Sequence, residues 1–249
     1  MTETLALTGR YLRRFWRNPQ LLFFGAIQPV VFVVGLNAVF GGVVSAFLGG
    51  PYMQYLVPGV LVMNVMLLAG TTAAGLAEDL QTGIVDRFRS LPMNRSAVLV
   101  GRTLADLARN VITITAVLVS GFVMGYELRG GVAAGAAAIA VVLLFAYAVS
   151  WMFASIGLAV KDPAAAQFAG FAPVLPLVYV SGAWIPLASM GPGLRAFARN
   201  QPVNVVTEAV RALGDGSPAA HWVLLSVLWS LGILAVFTVL ATHQYRRIA

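Results

Sequence analysis

The chain has no cysteine, so it can build neither a disulfide framework nor a thiolate metal site, and cysteine usage assigns no redox compartment. Histidine is almost missing too. His221 and His243 stand at opposite ends of the last apolar run and HExxH does not occur, so the two cannot share a metal ion and no metal site is expected. Lysine occurs once, as Lys161 in SIGLAVKD, without the glycine frame of a GxxxxGK[ST] phosphate loop. ATP hydrolysis by a P-loop mechanism is thereby excluded, and the chain is expected to bind no cofactor of its own. Ser181 in YVSGAW is the one serine in a setting suggestive of a nucleophile, but Tyr179 occupies the position two before it where a glycine-framed nucleophile needs glycine. Nothing in the sequence brings His221 within hydrogen-bond reach as its base, and no catalytic residue is assigned.

Charge is scarce as well, at 10% of 249 residues, while 59% are hydrophobic and the mean hydropathy is +0.86. That composition excludes an ordinary soluble globule and makes lipid the solvent. A hydrocarbon core roughly 30 Å thick takes about 20 helical residues to cross. Six apolar runs meet or approach that length: 21–44, 55–77, 107–126, 132–160, 167–187 and 221–242. The expected fold is an all-α integral membrane protein with six transmembrane helices, treated as one domain over 1–249 because no repeat or low-complexity linker divides it. Pro29, Pro173 and Pro176 fall inside two of the runs and predict kinked or broken helices whose freed carbonyls face protein. The first run is too long for the core of a cleavable signal, so none is expected.

Sixteen basic residues against nine acidic ones raise the question of nucleic acid, but they cluster at the ends of apolar runs and form no continuous basic face. Alternate connections sum to twelve Arg and Lys on one side and four on the other. By the positive-inside bias, both termini and the connection carrying Arg87, Arg89, Arg95, Arg102 and Arg109 are cytoplasmic, and the 188–220 connection is external. Ionisable residues inside the runs are almost absent, which weighs against an ion-coupled carrier. The neutral polar residues Gln28, Asn37, Asn64, Thr71, Thr72 and Gln167 are of the kind that joins helices.

Three segments stand out beyond the spans. Over 3–17, helical spacing sets Leu5, Leu12, Phe15 and Trp16 opposite Arg10, Arg13, Arg14 and Arg17, the pattern of an interfacial helix meeting anionic headgroups. It serves either as an anchor or as a contact for a cytoplasmic partner. Between the second and third spans, the coupling loop 78–103 holds a short helical piece bracketed by Gly83 and Pro92. Ile84, Phe88 and Leu91 share one face, flanked by Asp86, Arg87 and Arg89. This apolar knob with a charged rim suits a cleft on another protein, or else lies on the membrane surface. In the external connection Pro202 suits a first helical turn, Val206, Val210 and Leu213 share a face, and Gly214 is read as ending the helix. At about 12 residues it is too short to cross, and is expected to be re-entrant or interfacial.

The strings TGIVDRFRSLPMNRSAVLVGR and ARNQPVNVVTEAVRAL, in that order between spans two and three and between spans five and six, resemble the type-2 ABC transporter permeases, in particular the branch named for daunorubicin and doxorubicin resistance. The resemblance implies the permease of an exporter in the bacterial cytoplasmic (inner) membrane, paired with a second copy or a paralogue. Two separate cytoplasmic ABC ATPase subunits would carry ATP and Mg. Gly83, Ile84, Asp86, Arg87, Phe88, Arg89, Leu91 and Pro92 would then form the ATPase-coupling helix. Pro202, Val206, Val210 and Leu213 would form the external gate. Gln28, Phe32, Asn64, Met66 and Tyr179 are the candidates for the path of a hydrophobic or amphiphilic substrate, since such substrates suit aromatic, Met and neutral polar linings. The other class these residues allow is a passive channel or structural membrane protein without an ATPase.

Overall fold

A computed structural model describes residues 23–82 and 96–248, with Gly9 and Arg17. The coupling loop's apolar knob and all but Arg17 of the named interfacial residues lie outside the described residues. A short π-helical segment, Phe23–Ile27, runs into α1 (Gln28–Leu48), followed by α2 (Tyr52–Gln81), α3 (Ser96–Val123), α4 (Gly131–Val160) and α5 (Pro163–Tyr179). Turns and a 3-10 turn at Leu187–Ser189 lead to α6 (Pro192–Asn200), α7 (Pro202–Asp215) and α8 (Ala220–Ile248). No strand occurs among the described residues. Five helices, α1 to α4 and α8, are long and apolar enough to cross a membrane, and α5 is a shorter apolar helix of 17 residues.

Helix α2 is the axis of the bundle. It packs against α1, α3, α4, α5 and α7, and Leu56, Val57, Val62, Ala73, Leu76 and Ala77 on it are fully buried. By contrast, α1 and α8 leave valines and leucines such as Val39, Val43, Val236 and Val239 exposed. Apolar residues on the outside are what lipid requires of a spanning helix, while the hydrophobic stripe of a soluble helix would turn inward.

Close approach at the axis depends on glycine. A Cβ on Gly157 of α4 would lie 2.5 Å from the Ala73 carbonyl of α2, so the two backbones touch where a side chain would hold them apart. Small residues serve this purpose in membranes, where packing replaces the hydrophobic force between helices.

Several boundaries differ from the sequence reading. Helix α3 begins at Ser96, eleven residues before the expected 107, and so carries Arg102, Asp106 and Arg109 into the bundle. The view that spans hold almost no ionisable residues is therefore corrected. Their charges were hidden from a hydropathy reading because each is neutralised by a partner placed by the fold. Helix α5 spans Pro163–Tyr179 where 167–187 was expected, because Asp162 caps it by accepting from Ala165 N at 2.7 Å, and residues 180–190 turn instead of continuing. Gly214 lies inside α7, and Gly216, at φ 73°, forms its left-handed cap.

Replacing Gly157 by Leu is expected to drive α4 off α2, at an overpacking cost of about 1–3 kcal/mol or more. Thermal melting in detergent should show a lowered midpoint for Gly157→Leu, while Ala159→Leu, on the exposed side of the same helix, should leave it unchanged.

Candidate transport site with a polar hub at each end

The site is built from two clusters of buried polar side chains, one at each end of the bundle. At the end where α2 finishes and α3 starts, Arg102 Nη1 meets Asp79 Oδ2 at 2.8 Å, with 7% of Arg102 and 1% of Asp79 exposed. Arg102 crosses α2 over Gly75, where a Cβ would overlap its guanidinium, and its Nη2 donates to the Thr71 carbonyl at 3.4 Å. One turn further along α3, Asp106 forms a buried ion pair with Arg109 and accepts from Thr72 Oγ1 at 2.7 Å. Thr113 donates to the Gly25 carbonyl at 2.7 Å and so joins the π-helical segment to α3. These groups tie together the two helices that border residues 83–95.

At the opposite end the hub is Arg211 on α7. Its Nη2 donates to the carbonyls of Gly182 at 2.6 Å, Ala183 at 3.1 Å and Tyr55 at 3.0 Å, and Nε reaches the Tyr55 carbonyl at 3.2 Å. Nη1 pairs with Glu208 at 2.6 Å, and the guanidinium carbon lies 3.5 Å from the centre of the Tyr55 ring. Five donors in a fixed fork, able to stack on an aromatic face, are what this position uses. Around Arg211, Tyr55 OH donates to Gly182 O at 2.7 Å, Tyr52 OH to Trp184 O at 2.9 Å, and Asn204 Oδ1 accepts from Gly182 N at 3.0 Å. Gln201 caps α7 by accepting from Val203 N at 2.9 Å and donates to Leu177 O at 2.9 Å. The turn after α5 is thus clamped between α2 and α7. Gly59 makes this possible, because a Cβ there would overlap the Ala183 carbonyl.

The connection between α3 and α4 closes the same end. Gly130 N donates to Gly214 O at 2.9 Å, and Tyr126 packs over Gly214. Burial, with the Asp215 carboxylate adding to it, pushes the Tyr126 phenol up to about 12, so the phenol stays protonated near neutrality.

Of the residues expected at an external gate, all on α7, Val206 and Val210 are buried and Pro202 and Leu213 partly covered. The path residues do not form one lining. Asn64 is buried and donates to its own helix at Val60 O, 2.8 Å away, and Met66 is buried beside an apolar groove. Gln28 begins α1 and Phe32 packs on the core from it, whereas Tyr179 is exposed and stacks edge-on against Trp184. Ser181 donates to Val178 O at 2.6 Å and accepts from Ala183 N, the bonding of a turn. Neither hub was identified from sequence, although the Glu208–Arg211 spacing within TEAVRAL was a visible helical ion-pair signal.

Among the described residues, long apolar helices with lipid-suited flanks, charged ties beside one connection and a clamped turn at the other end are those of a helical integral membrane protein. Residues 2–213 match the ABC-2 type transporter family. The chain belongs to that family and is a transmembrane permease component of an ABC transporter. It is 29% identical over 248 residues to the daunorubicin resistance ABC transporter permease protein DrrB1 of Streptomyces coeruleorubidus, covering 99% of this chain and 87% of that one. It is 25% identical to the probable doxorubicin resistance ABC transporter permease protein DrrC of Mycobacterium tuberculosis, covering 99% and 89%. The putative transport permease ycf38 of Porphyra purpurea is 23% identical over 214 residues, covering 84% and 72%.

Two outcomes follow from the hubs. Arg102→Ala breaks the buried ion pair with Asp79 and is expected to cost about 3–5 kcal/mol, whereas the paired Asp79→Leu/Arg102→Met exchange should recover much of that loss. Denaturation of the purified variants measures both, and equal loss in the single and double variants would refute the pairing. At the other hub, Arg211→Lys should lower the melting midpoint nearly as far as Arg211→Met, because one ammonium cannot serve Tyr55, Gly182, Ala183 and Glu208 together.

Proposed function

We propose that the chain is the membrane half of an ATP-driven exporter of hydrophobic or amphiphilic compounds, forming one transmembrane domain that pairs with a second copy or a paralogue. Each permease would sit on one of two separate cytoplasmic ABC ATPase subunits. In this reading both termini and residues 83–95 face the cytoplasm, and the Arg211 hub faces outward. The positive-inside count supports that orientation, and the names of the relatives support the substrate class.

The observation that carries the reading is the Arg102–Asp79 tie. Thr82 to Arg95 would be the coupling helix, with Phe88 and Leu91 in an ATPase groove and Arg87 and Arg89 at its acidic rim. Because α2 and α3 leave that segment already locked to each other by buried charge, a push on it moves both helices as a unit. Helix α2 carries the displacement to Tyr52 and Tyr55, which hold the turn that Arg211 clamps. Nucleotide-driven closure of the ATPases would thus bias a two-state arrangement of the outer plug, where Pro202, Val206, Val210 and Leu213 form the gate. Gln28, Phe32, Asn64, Met66 and Tyr179 would line the path once it opens.

The test is recovery of the tagged chain from its native membrane with Phe88→Asp and Arg87→Glu variants alongside. An ABC ATPase subunit and nucleotide-dependent export should accompany the wild type and be lost together in the variants. Recovery without any ATPase would favour a channel or structural role. Retention of both ATPase and export in the variants would remove the coupling assignment.

A further inference from the structure

A cavity of about 430 Å³ opens beside the Arg211 hub, where the 3-10 turn, α6 and α7 meet Tyr55 of α2 and Trp222 of α8. Small-molecule sites typically measure about 300–1,000 Å³, so the space suits a ligand of modest size. Two guanidinium groups, those of Arg195 and Arg199, stand on its wall against one carboxylate, Glu208, and that carboxylate is already paired with Arg211 at 2.6 Å. The wall therefore carries an excess of positive charge.

The two arginines stand one turn apart on α6 and differ in what they hold. Arg195 Nε donates to Leu187 O at 3.0 Å, and its Nη2 to Ala188 O at 2.7 Å and Met190 O at 2.8 Å, so its charge is fixed in place by neutral partners that do not cancel it. Arg199 is fixed through its backbone, whose carbonyl accepts from Asn204 Nδ2 at 3.3 Å, while its exposed guanidinium makes no hydrogen bond or ion pair among the described residues. At the same end Arg129 pairs with Glu127 at 3.1 Å and Arg211 with Glu208, so Arg199 alone of these side chains has no bonded partner among the described residues. Like charges four residues apart on a helix repel, and an anion lying between them relieves the repulsion. On the α8 wall the Trp222 indole N–H also makes no hydrogen bond among the described residues, and Leu187 and Ala188 add apolar surface. Uncommitted donors, uncancelled positive charge and an apolar shelf thus border one space.

We propose that this cavity binds the anionic group of an amphiphilic acid, a carboxylate or a phosphate ester, at Arg199 and Arg195, with the apolar body of the ligand against Leu187, Ala188 and Trp222. Guanidinium–oxyanion contacts are charge-assisted hydrogen bonds, roughly twice as strong as neutral ones. A ligand seated there would tie α6 to α8 beside the turn that Arg211 clamps. Two sources offer this chemistry, a water-soluble acid and the headgroup of an anionic phospholipid, and the experiment separates them. The site rests on local geometry and stands whether or not the export reading does.

The experiment titrates 2-naphthyl phosphate into the purified full chain in phosphatidylcholine nanodiscs by calorimetry, with empty discs as the blank and uncharged 2-naphthol as the control ligand. Saturable binding of one naphthyl phosphate per chain is expected, with none for naphthol. Arg199→Gln should weaken it by about tenfold or more, the effect of losing a hydrogen bond to a charged group. Ala188→Trp, which fills the cavity from the turn, should weaken it as well, whereas Arg129→Gln, a charge change of the same size at the same end, should leave it unchanged. Repeating the titration in discs doped with phosphatidylglycerol identifies the source: competition assigns the site to a phospholipid headgroup, and unaltered binding assigns it to a water-soluble acid. No saturable binding above the blank, or binding that Arg199→Gln leaves intact, would overturn the proposal. An equal fall in Arg199→Gln and Arg129→Gln would reduce the effect to general surface charge and overturn it too.

Discussion

A charge or backbone polar group removed from water must find its partner within the protein, and this constraint governs how the bundle is organised. Helices satisfy their own backbones, so a chain of them can stand in lipid with valine and leucine outward. The exceptions are the places where helices end or turn, and there the chain has placed its buried arginines. Arg211 serves carbonyls of the turn after α5 and of α2, and Arg102 answers Asp79 across the gap between α2 and α3. Each hub is paired with a glycine that lets the groups meet, Gly59 at one end and Gly75 at the other.

Because α2 contributes to both hubs, it is the element that joins them. Its first turn holds the Tyr52 and Tyr55 hydroxyl bonds, and its last turns hold Asp79 and Thr72. Packed cores tend to be bistable more than continuously deformable, so in the proposed exporter a displacement at one end would be delivered at the other as a change of arrangement. The strength of the ties fits this role. Breaking one member of a buried pair is far more costly than removing both, which favours motion of α2 and α3 as a joined unit.

Much of the fold is legible in the residues. The apolar runs mark the long helices, and Pro202 with the Val206, Val210 and Leu213 stripe marks α7. What was not legible depends on distance in the chain. Asp79 and Arg102 are 23 residues apart and read as loop charges, because hydropathy counts each as an interruption and cannot see their mutual neutralisation. The start of α3 was missed for the same reason. The clamp on YVSGAW was hidden because its partners come from α2 and α7, and a string containing serine between small residues invites a reading as chemistry when its hydroxyl builds a turn. The expected path residues scatter because residue type alone cannot say which face of a helix is turned to the core.

The most direct test of coupling between the two ends exploits the absence of cysteine. A single Val206→Cys, fully buried in the resting arrangement, would be assayed in the complex with its ATPase for reaction with a membrane-impermeant thiol reagent applied at the Arg211 end. The account predicts slow labelling without nucleotide, rapid labelling during ATP turnover, and loss of that acceleration when Asp79 and Arg102 are both replaced. Labelling that is indifferent to ATP, or an ATP response that survives removal of the tie, would contradict it.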